Sequence, residues 1–265
     1  MTLYAWLLLA VVAAALSWGY FEAGWVRLRR IEVAIPGLGS DLTGLRIVHL
    51  SDFHLGVPSR GERAVRKAVE WAASLEPDLV LVTGDLVSTP RGEPLLRGLL
   101  RRLPRCYAIL GNHDLAISRD PFSKPVELRE LGPATLLLDE GRMVELRGAR
   151  VWIAGLDPRS RGKEPDLTAE ADLRILLSHF PSVADRLPDG AFELVLAGHM
   201  HDGQICLPYP GGKVRLAHLW ARYTHGLYRF GKTVMHVSAG LGTTFVPFRF
   251  GARPEATELV LQSVP

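Results

Sequence analysis

Five short aliphatic runs punctuate the chain, and a polar cluster closes each one. Residues 45–50 lead into Ser51-Asp52-Phe53-His54, and residues 79–82 into Thr83-Gly84-Asp85. Residues 106–110 lead into Gly111-Asn112-His113-Asp114, residues 173–177 into Ser178-His179, and residues 194–197 into Gly198-His199-Met200-His201. Runs this short, bounded by glycine and polar residues, predict buried strands. Between the first two runs, Ala64, Val65, Ala68, Val69 and Ala72 are spaced for one apolar helix face over about 61–75, before Pro77. A second helix is expected over about 93–103. Strand and helix in alternation predict an α/β fold with a largely parallel sheet core. Residues 144–146 and 151–154 read as a hairpin about Gly148, and 233–237 and 257–261 as later strands.

The amino-terminal stretch has another pattern. Thr2 to Phe21 carries no charged side chain. A helix of about 20 residues spans roughly 30 Å, the thickness of a bilayer's hydrocarbon core. Tyr4 and Trp6 at one end, and Trp18, Tyr20 and Trp25 at the other, are placed as interfacial belts. Ala13-Ala14-Ala15 would offer a signal-peptidase site, but no Lys or Arg precedes the apolar run, and Arg27, Arg29 and Arg30 follow it. The expectation is an uncleaved, single-pass anchor in the inner (cytoplasmic) membrane with the catalytic domain on the cytoplasmic side. Residues 1–26 are then the anchor, 27–44 a linker and 45–265 the catalytic domain. Within the linker, 31–44 is expected as an extended segment or edge strand, broken by Pro36, Gly37 and Gly39.

Composition narrows the classes. Of 265 residues, 48% are hydrophobic and 22% charged, so disorder is not expected. A net charge of +3 gives no nucleic-acid signature, and no nucleic-acid partner is expected. Cys106 and Cys206 are the only cysteines and lack metal-type or disulfide-framework spacing. No Gly-x-Ser-x-Gly is present, and Gly37-x-Gly39 and Gly240-x-Gly242 lack the context of a nucleotide loop.

Asp52, His54, Asp85, Asn112, His113, His179, His199 and His201 all fall just past the carboxyl ends of their strands, where α/β sheets bind ligands. Singly, each has an ordinary reading: Gly84-Asp85 is a turn, and His179 before Phe180-Pro181 can close a strand. Together and in order they form a set of oxygen and imidazole donors suited to Mn, Fe, Zn or Mg.

The series Asp-x-His, Gly-Asp, Gly-Asn-His-Asp, His and Gly-His-x-His resembles the calcineurin-like metallophosphoesterase superfamily. The resemblance implies a two-sheet α/β sandwich with two divalent metal ions, manganese foremost. Mapped by motif, Asp52, His54 and His201 would hold one ion, and Asn112, His179 and His199 the other. Asp85 would bridge them. His113 would stabilise the transition state or protonate the leaving oxygen, with Asp114 orienting it. Two metals about 3.5–4 Å apart polarise phosphoryl oxygens and generate hydroxide near neutral pH. A neutral Asn ligand keeps the total ligand charge low, so the site still attracts an anion.

The anchor, Gly44-Leu45-Arg46-Ile47-Val48 before Ser51 to Gly56, the loop Gly198 to Ile205 and the ending Arg249 to Glu255, with Arg253-Pro254-Glu255, resemble a branch of small membrane-anchored bacterial phosphodiesterases. Asp202 departs from that branch, which has glycine there. Some members resemble hydrolases of UDP-2,3-diacylglucosamine in lipid A synthesis. That likeness implies a lipid-pyrophosphate substrate, and the segment 216–230 is expected to meet acyl chains or headgroups. The alternative is a phosphodiesterase for soluble nucleotides or other phosphodiesters, anchored only for location. A non-catalytic metal-dependent binding module would be expected to lack a ligand or His113, and none is missing. His49, His218, His225 and His236 read as structural.

Overall fold

The computed structural model describes residues 2–160 and 169–264. In chain order the elements are α1 (Leu3–Glu22), β1 (Arg27–Pro36), β2 (Arg46–Leu50), α2 (Gly61–Ser74), β3 (Leu79–Thr83), α3 (Glu93–Leu100), β4 (Cys106–Ile109) and β5 (Thr135–Leu136). There follow β6 (Glu140–Leu146), β7 (Ala149–Gly155), β8 (Leu173–Ser178), β9 (Leu194–Ala197), β10 (Cys206–Tyr209), β11 (Gly212–Arg215), β12 (Gly226–Phe230), β13 (Thr233–Val237) and β14 (Glu255–Val264).

Two six-stranded sheets form, ordered β1-β14-β2-β3-β4-β5 and β12-β13-β9-β8-β7-β6, with β10–β11 a separate hairpin. The expected parallel core is realised twice: β2 through β5 run parallel in one sheet, and β7, β8, β9 and β13 in the other. Strands buried on both faces favour apolar side chains at nearly every position, and this explains the aliphatic runs, which only Arg46, His49 and Arg174 interrupt. In β3, Leu79 and Leu81 point between the sheets, beside Ile153, Ile175 and Leu194. Val80 and Val82 point the other way, onto Ala64, Ala68 and Ala72 of α2 and Leu96 and Leu100 of α3. In β9, Leu194 and Leu196 join the inter-sheet core, while Val195 and Ala197 pack with Phe192 and Met235 outside it. The α/β sandwich is thus a consequence of period-two alternation within runs that are mostly apolar.

Of the two readings of 31–44, the edge strand holds over 31–36, and the strand starts earlier than expected, inside the segment expected as linker: β1 pairs in parallel with β14 along its whole length, from Arg27↔Glu255 to Pro36↔Val264. Arg29 and Glu255 (3.2 Å) and Arg46 and Glu258 (2.6 Å) bind this edge together. The α3 helix ends at Leu100, not 103, and continues as a turn through Arg102 and Leu103.

Helix α1 is long and apolar enough to cross a membrane, with a mean hydropathy of 1.7, and its best window is only 6% buried. Its last turn is nevertheless built into the domain. The Phe250 ring sits so close to Gly19 that a Cβ there would stand 2.3 Å from it. The backbone N–H of Arg249 donates to Gly19 O (3.0 Å), and that of Ala252 donates to the buried Glu22 carboxylate (3.1 Å).

Candidate metal centre

Every sequence-singled donor lies in a loop at the carboxyl end of its strand, and the two sheets bring these loops together. Asp52 and His54 follow β2, Asp85 follows β3, and Asn112 and His113 follow β4. His179 follows β8, and His199 and His201 follow β9. Asp52, His54, Asp85, His199 and His201 all take left-handed backbone angles, with φ of 54°, 47°, 52°, 71° and 48°. Such positions are disfavoured for non-glycine residues and cluster at functional sites. Glycines give the room: a Cβ on Gly111 would stand 2.1 Å from Asp85 Oδ1, and one on Gly198 2.5 Å from Asp52 Oδ2.

The side chains divide into two clusters that can each hold a metal ion. Asp52, His54, Asp85 and His201 have one donor atom each within 4.8 Å of all the others, and so do Asp85, His179 and His199. Asp85 belongs to both. Its Oδ2 is 3.4 Å from His54 Nε2 and 3.2 Å from His179 Nε2. Its Oδ1 accepts the backbone N–H of His113 at 2.8 Å, which fixes the carboxylate's rotation. Asn112 Oδ1 joins the second cluster, 2.9 Å from His179 Nε2.

The donor set fits a cation. His179 Nδ1 lies 2.8 Å from the carbonyl oxygen of Thr83, which only accepts, so Nδ1 carries the proton. Nε2 then presents a lone pair toward a carboxylate and an amide oxygen, and only a proton or a metal ion reconciles the three. His54 Nε2 and His201 Nε2 face each other at 3.1 Å, and His199 Nδ1 and His179 Nε2 at 3.2 Å. Backbone and hydroxyl partners behind the imidazoles, such as Ser88 Oγ on His54 Nδ1 (3.0 Å), orient the rings.

The electrostatics follow from burial and this crowding. Burial would raise the Asp85 carboxyl, but His179 and His54 outweigh it and hold the group well below the usual carboxylate range. Asp52 is likewise held low against its burial, chiefly by His201. Burial would lower His179, yet Asp85 more than offsets it and lifts the imidazole to about 9. Burial and the neighbouring His179 push His199 down to about 3.

His113 stands beside the first cluster, its ring edge-on to His54 at 4.6 Å between centroids. Burial holds its pKa below the ordinary value. Asp114, expected to orient it, is placed elsewhere: its carboxylate accepts the backbone N–H groups of Leu86 (3.1 Å), Val87 (2.8 Å) and Gly111 (2.8 Å). It fastens the Asp85 loop to the Asn112 loop. The side chains near His113 are instead Ser118, 3.1 Å from Nε2, and Asp120, 3.9 Å from Nδ1.

Asp202 does not leave a free charge at the site. The carboxylate is buried and ion-paired to Lys213 and, at 2.9 Å, to Arg215, both on β11. Arg249 opens the ending on which the branch resemblance rests, and the structure gives it a role that the sequence did not. It is fully buried and donates to the carbonyls of Ala239, Gly242 and Ala252. Its Nη2 lies 3.2 Å from the His201 ring. Four histidines read as structural divide: His49 and His236 are bonded to each other (2.8 Å) in the core, and His225 pairs with Glu255. His218 instead reaches the site, its ring 5.6 Å from that of His199.

A family model described as calcineurin-like phosphoesterase matches residues 45–203. The chain is similar to the uncharacterized metallophosphoesterase YkuE of Bacillus subtilis (strain 168), 32% identical over 96% of this chain and 94% of that one. It is similar to phosphodiesterase YaeI of Escherichia coli (strain K12), 26% identical over 95% of each chain. It is also similar to UDP-2,3-diacylglucosamine pyrophosphatase LpxG of Chlamydia muridarum (strain MoPn / Nigg), 28% identical over 94% of each.

Proposed function

The chain belongs to the calcineurin-like phosphoesterase family and is a metal-dependent phosphoester hydrolase, and from that premise we propose that it cleaves a phosphodiester or pyrophosphate bond of a membrane lipid-nucleotide such as UDP-2,3-diacylglucosamine. Asp52, His54 and His201 hold one divalent ion, Asn112, His179 and His199 the other, and Asp85 bridges them, with manganese the expected metal. Two ions so held polarise the phosphoryl oxygens and supply a nucleophile from water near neutral pH. The observation that carries this reading is the membership of Asp85 in both clusters.

The residues of the chain account for the rest. Asp52 and Asp85 supply two negative charges, and every other donor is neutral when bound, so two divalent ions leave the site positive toward an anionic substrate. Asp114 holds the Asp85 and Asn112 loops in register through its three backbone bonds. His113, just outside the donor set, gives a proton to the departing oxygen.

The lipid reading is supported by the junction between helix and site. Arg249 is bonded to Gly19 of α1 through its backbone and touches His201 through its guanidinium, so the candidate span and the metal centre share one residue. Arg27, Arg29 and Arg30 beyond the helix favour a cytoplasmic domain under the inner membrane. Leu216, Leu219 and Trp220 are exposed, Trp220 at 96%, as a surface meeting acyl chains or headgroups would be. The full chain in lipid nanodiscs should hydrolyse UDP-2,3-diacylglucosamine faster than a cyclic nucleotide, and Leu219→Ser with Trp220→Ser should slow the lipid substrate alone. Faster turnover of the cyclic nucleotide would favour a soluble substrate with the helix serving only for location.

A further inference from the structure

Beside the metal centre lies an apolar cleft of about 230 Å³ that none of the roles above uses. One wall is Val57, Pro58 and Ser59, and the other is the loop 243–247. Phe122, Phe245 and Val246 stand on it and are exposed at 56%, 52% and 38%. Aromatic rings left open in this way are normally buried against something apolar. Phe245 has a φ of 57°, disfavoured for a bulky side chain, so the surroundings hold this backbone at a cost.

What holds it is the buried carboxylate of Asp120. Oδ2 accepts the N–H of Phe245 (2.9 Å) and Oδ1 that of Phe122 (2.9 Å), so one side chain clasps both aromatic jaws. The Gln204 amide grips Thr244 from the far side, donating to its carbonyl (2.8 Å) and accepting its N–H (2.9 Å). The cleft is therefore preformed. Its inner end is at the chemistry, since Asp120 Oδ2 lies 3.9 Å from His113 Nδ1.

Both walls continue into the end of α1. Beyond Ser59, the Arg60 guanidinium lies over the rings of Tyr20 (5.8 Å) and Phe21 (5.6 Å). Beyond Pro247, Arg249 and Phe250 hold Gly19. The two segments that wall the cleft are thus each followed in the chain by residues that hold the last turns of the candidate span.

We propose that this cleft receives an alkyl chain of the substrate, holding an amphiphilic phosphoester with its chain between Phe122 and Phe245 and its phosphoryl group at the metals. The lining offers little for a sugar or a base to bond, because its charged group, Asp120, is already taken by backbone N–H groups. The proposal rests on the reading of a membrane-derived, amphiphilic substrate. It does not require a nucleotide.

The test uses the full chain in nanodiscs and p-nitrophenyl alkyl phosphodiesters with methyl, butyl and octyl chains. Water adds at phosphorus, the bond to p-nitrophenolate breaks, and the alkyl phosphate is released. Each methylene that enters the cleft should lower KM about three- to fourfold, with kcat little changed. Partition into the bilayer is common to all variants, so the comparison is with Val246→Asp and Phe122→Ser. Both should flatten the dependence on chain length and leave methyl ester turnover unchanged. The same slope in the variants, or no slope in the native chain, would overturn the proposal. Photolabelling by a diazirine-tipped alkyl phosphate gives an independent reading: label on 243–247 and Phe122 is expected, and label confined to 207–220, or none, would sink it. If the slope and label are found while UDP-2,3-diacylglucosamine is not hydrolysed, the lipid-nucleotide reading fails and the alkyl site stands. If that substrate is hydrolysed but slope and label are absent, the reverse holds.

Discussion

His113 points its buried Nδ1 at Asp120 Oδ2, 3.9 Å away, and has no hydrogen-bond partner at that atom among the described residues. Burial lowers the imidazole's pKa, and Asp85 and then Asp120 work against it, toward the protonated form that a general acid needs. Removing His113 should therefore matter most when the leaving oxygen is poor. His113→Ala is expected to lose about a hundredfold or more in kcat on an alkyl leaving group, and much less on p-nitrophenolate, which departs without help. Asp120→Asn should show the same ordering with about a tenfold loss. Equal losses on both leaving groups would assign His113 to binding or charge stabilisation instead.

Asp114 behaves as a structural clasp in this geometry. Truncating it leaves three buried backbone N–H groups without an acceptor, each worth about 1–3 kcal/mol. Asp114→Ala should lower unfolding free energy by about 3 kcal/mol or more, read by urea titration. Undiminished stability with lost activity would return Asp114 to the role of orienting His113.

Glu255 gives the edge of the first sheet a pH dependence. Burial would raise its carboxyl, but the hydrogen bond from His225, that residue's charge and Arg29 outweigh it and bring the pKa to about 2. A pKa below the unfolded value of about 4.3 means a stabilising contribution that is complete above that value and is lost as pH falls toward 2. Stability measured at about pH 6 and about pH 3 should fall less steeply in Glu255→Gln than in the native chain, because the variant has no proton to take up there. Parallel falls would show that this pair is not a source of acid sensitivity.

The metal donors were legible because the rule that places them is local. Each follows a short, mostly aliphatic run, as a buried parallel strand favours. The helix α1 was legible for the same reason, as one uncharged stretch. The role of 27–36 was not, since β1 finds its partner 226 residues away at the Arg29–Glu255 pair. An edge strand was one reading of 31–44, but neither its start at Arg27 nor its partner strand was legible, and Arg29 and Arg30 are ion-paired to Glu255 and Glu258 of that partner. Asp120 and Arg249 sit singly in irregular loops, where no period or spacing marks a residue that works through its neighbours. Asp202 showed in the sequence only as a departure from the branch's glycine, because its partners Lys213 and Arg215 are brought to it by the fold.

The central claim is that two metal ions share Asp85 and that hydrolysis depends on them. The most direct measurement is metal content together with bis-p-nitrophenyl phosphate hydrolysis by the full chain in detergent, stripped by a chelator and then restored with Mn²⁺, beside Asp85→Ala. The account predicts that stripping abolishes activity, that restoration returns it with two ions per chain, and that folded Asp85→Ala binds fewer ions and stays inactive. Activity that survives complete stripping, or an Asp85→Ala variant that turns over like the native chain, would contradict it.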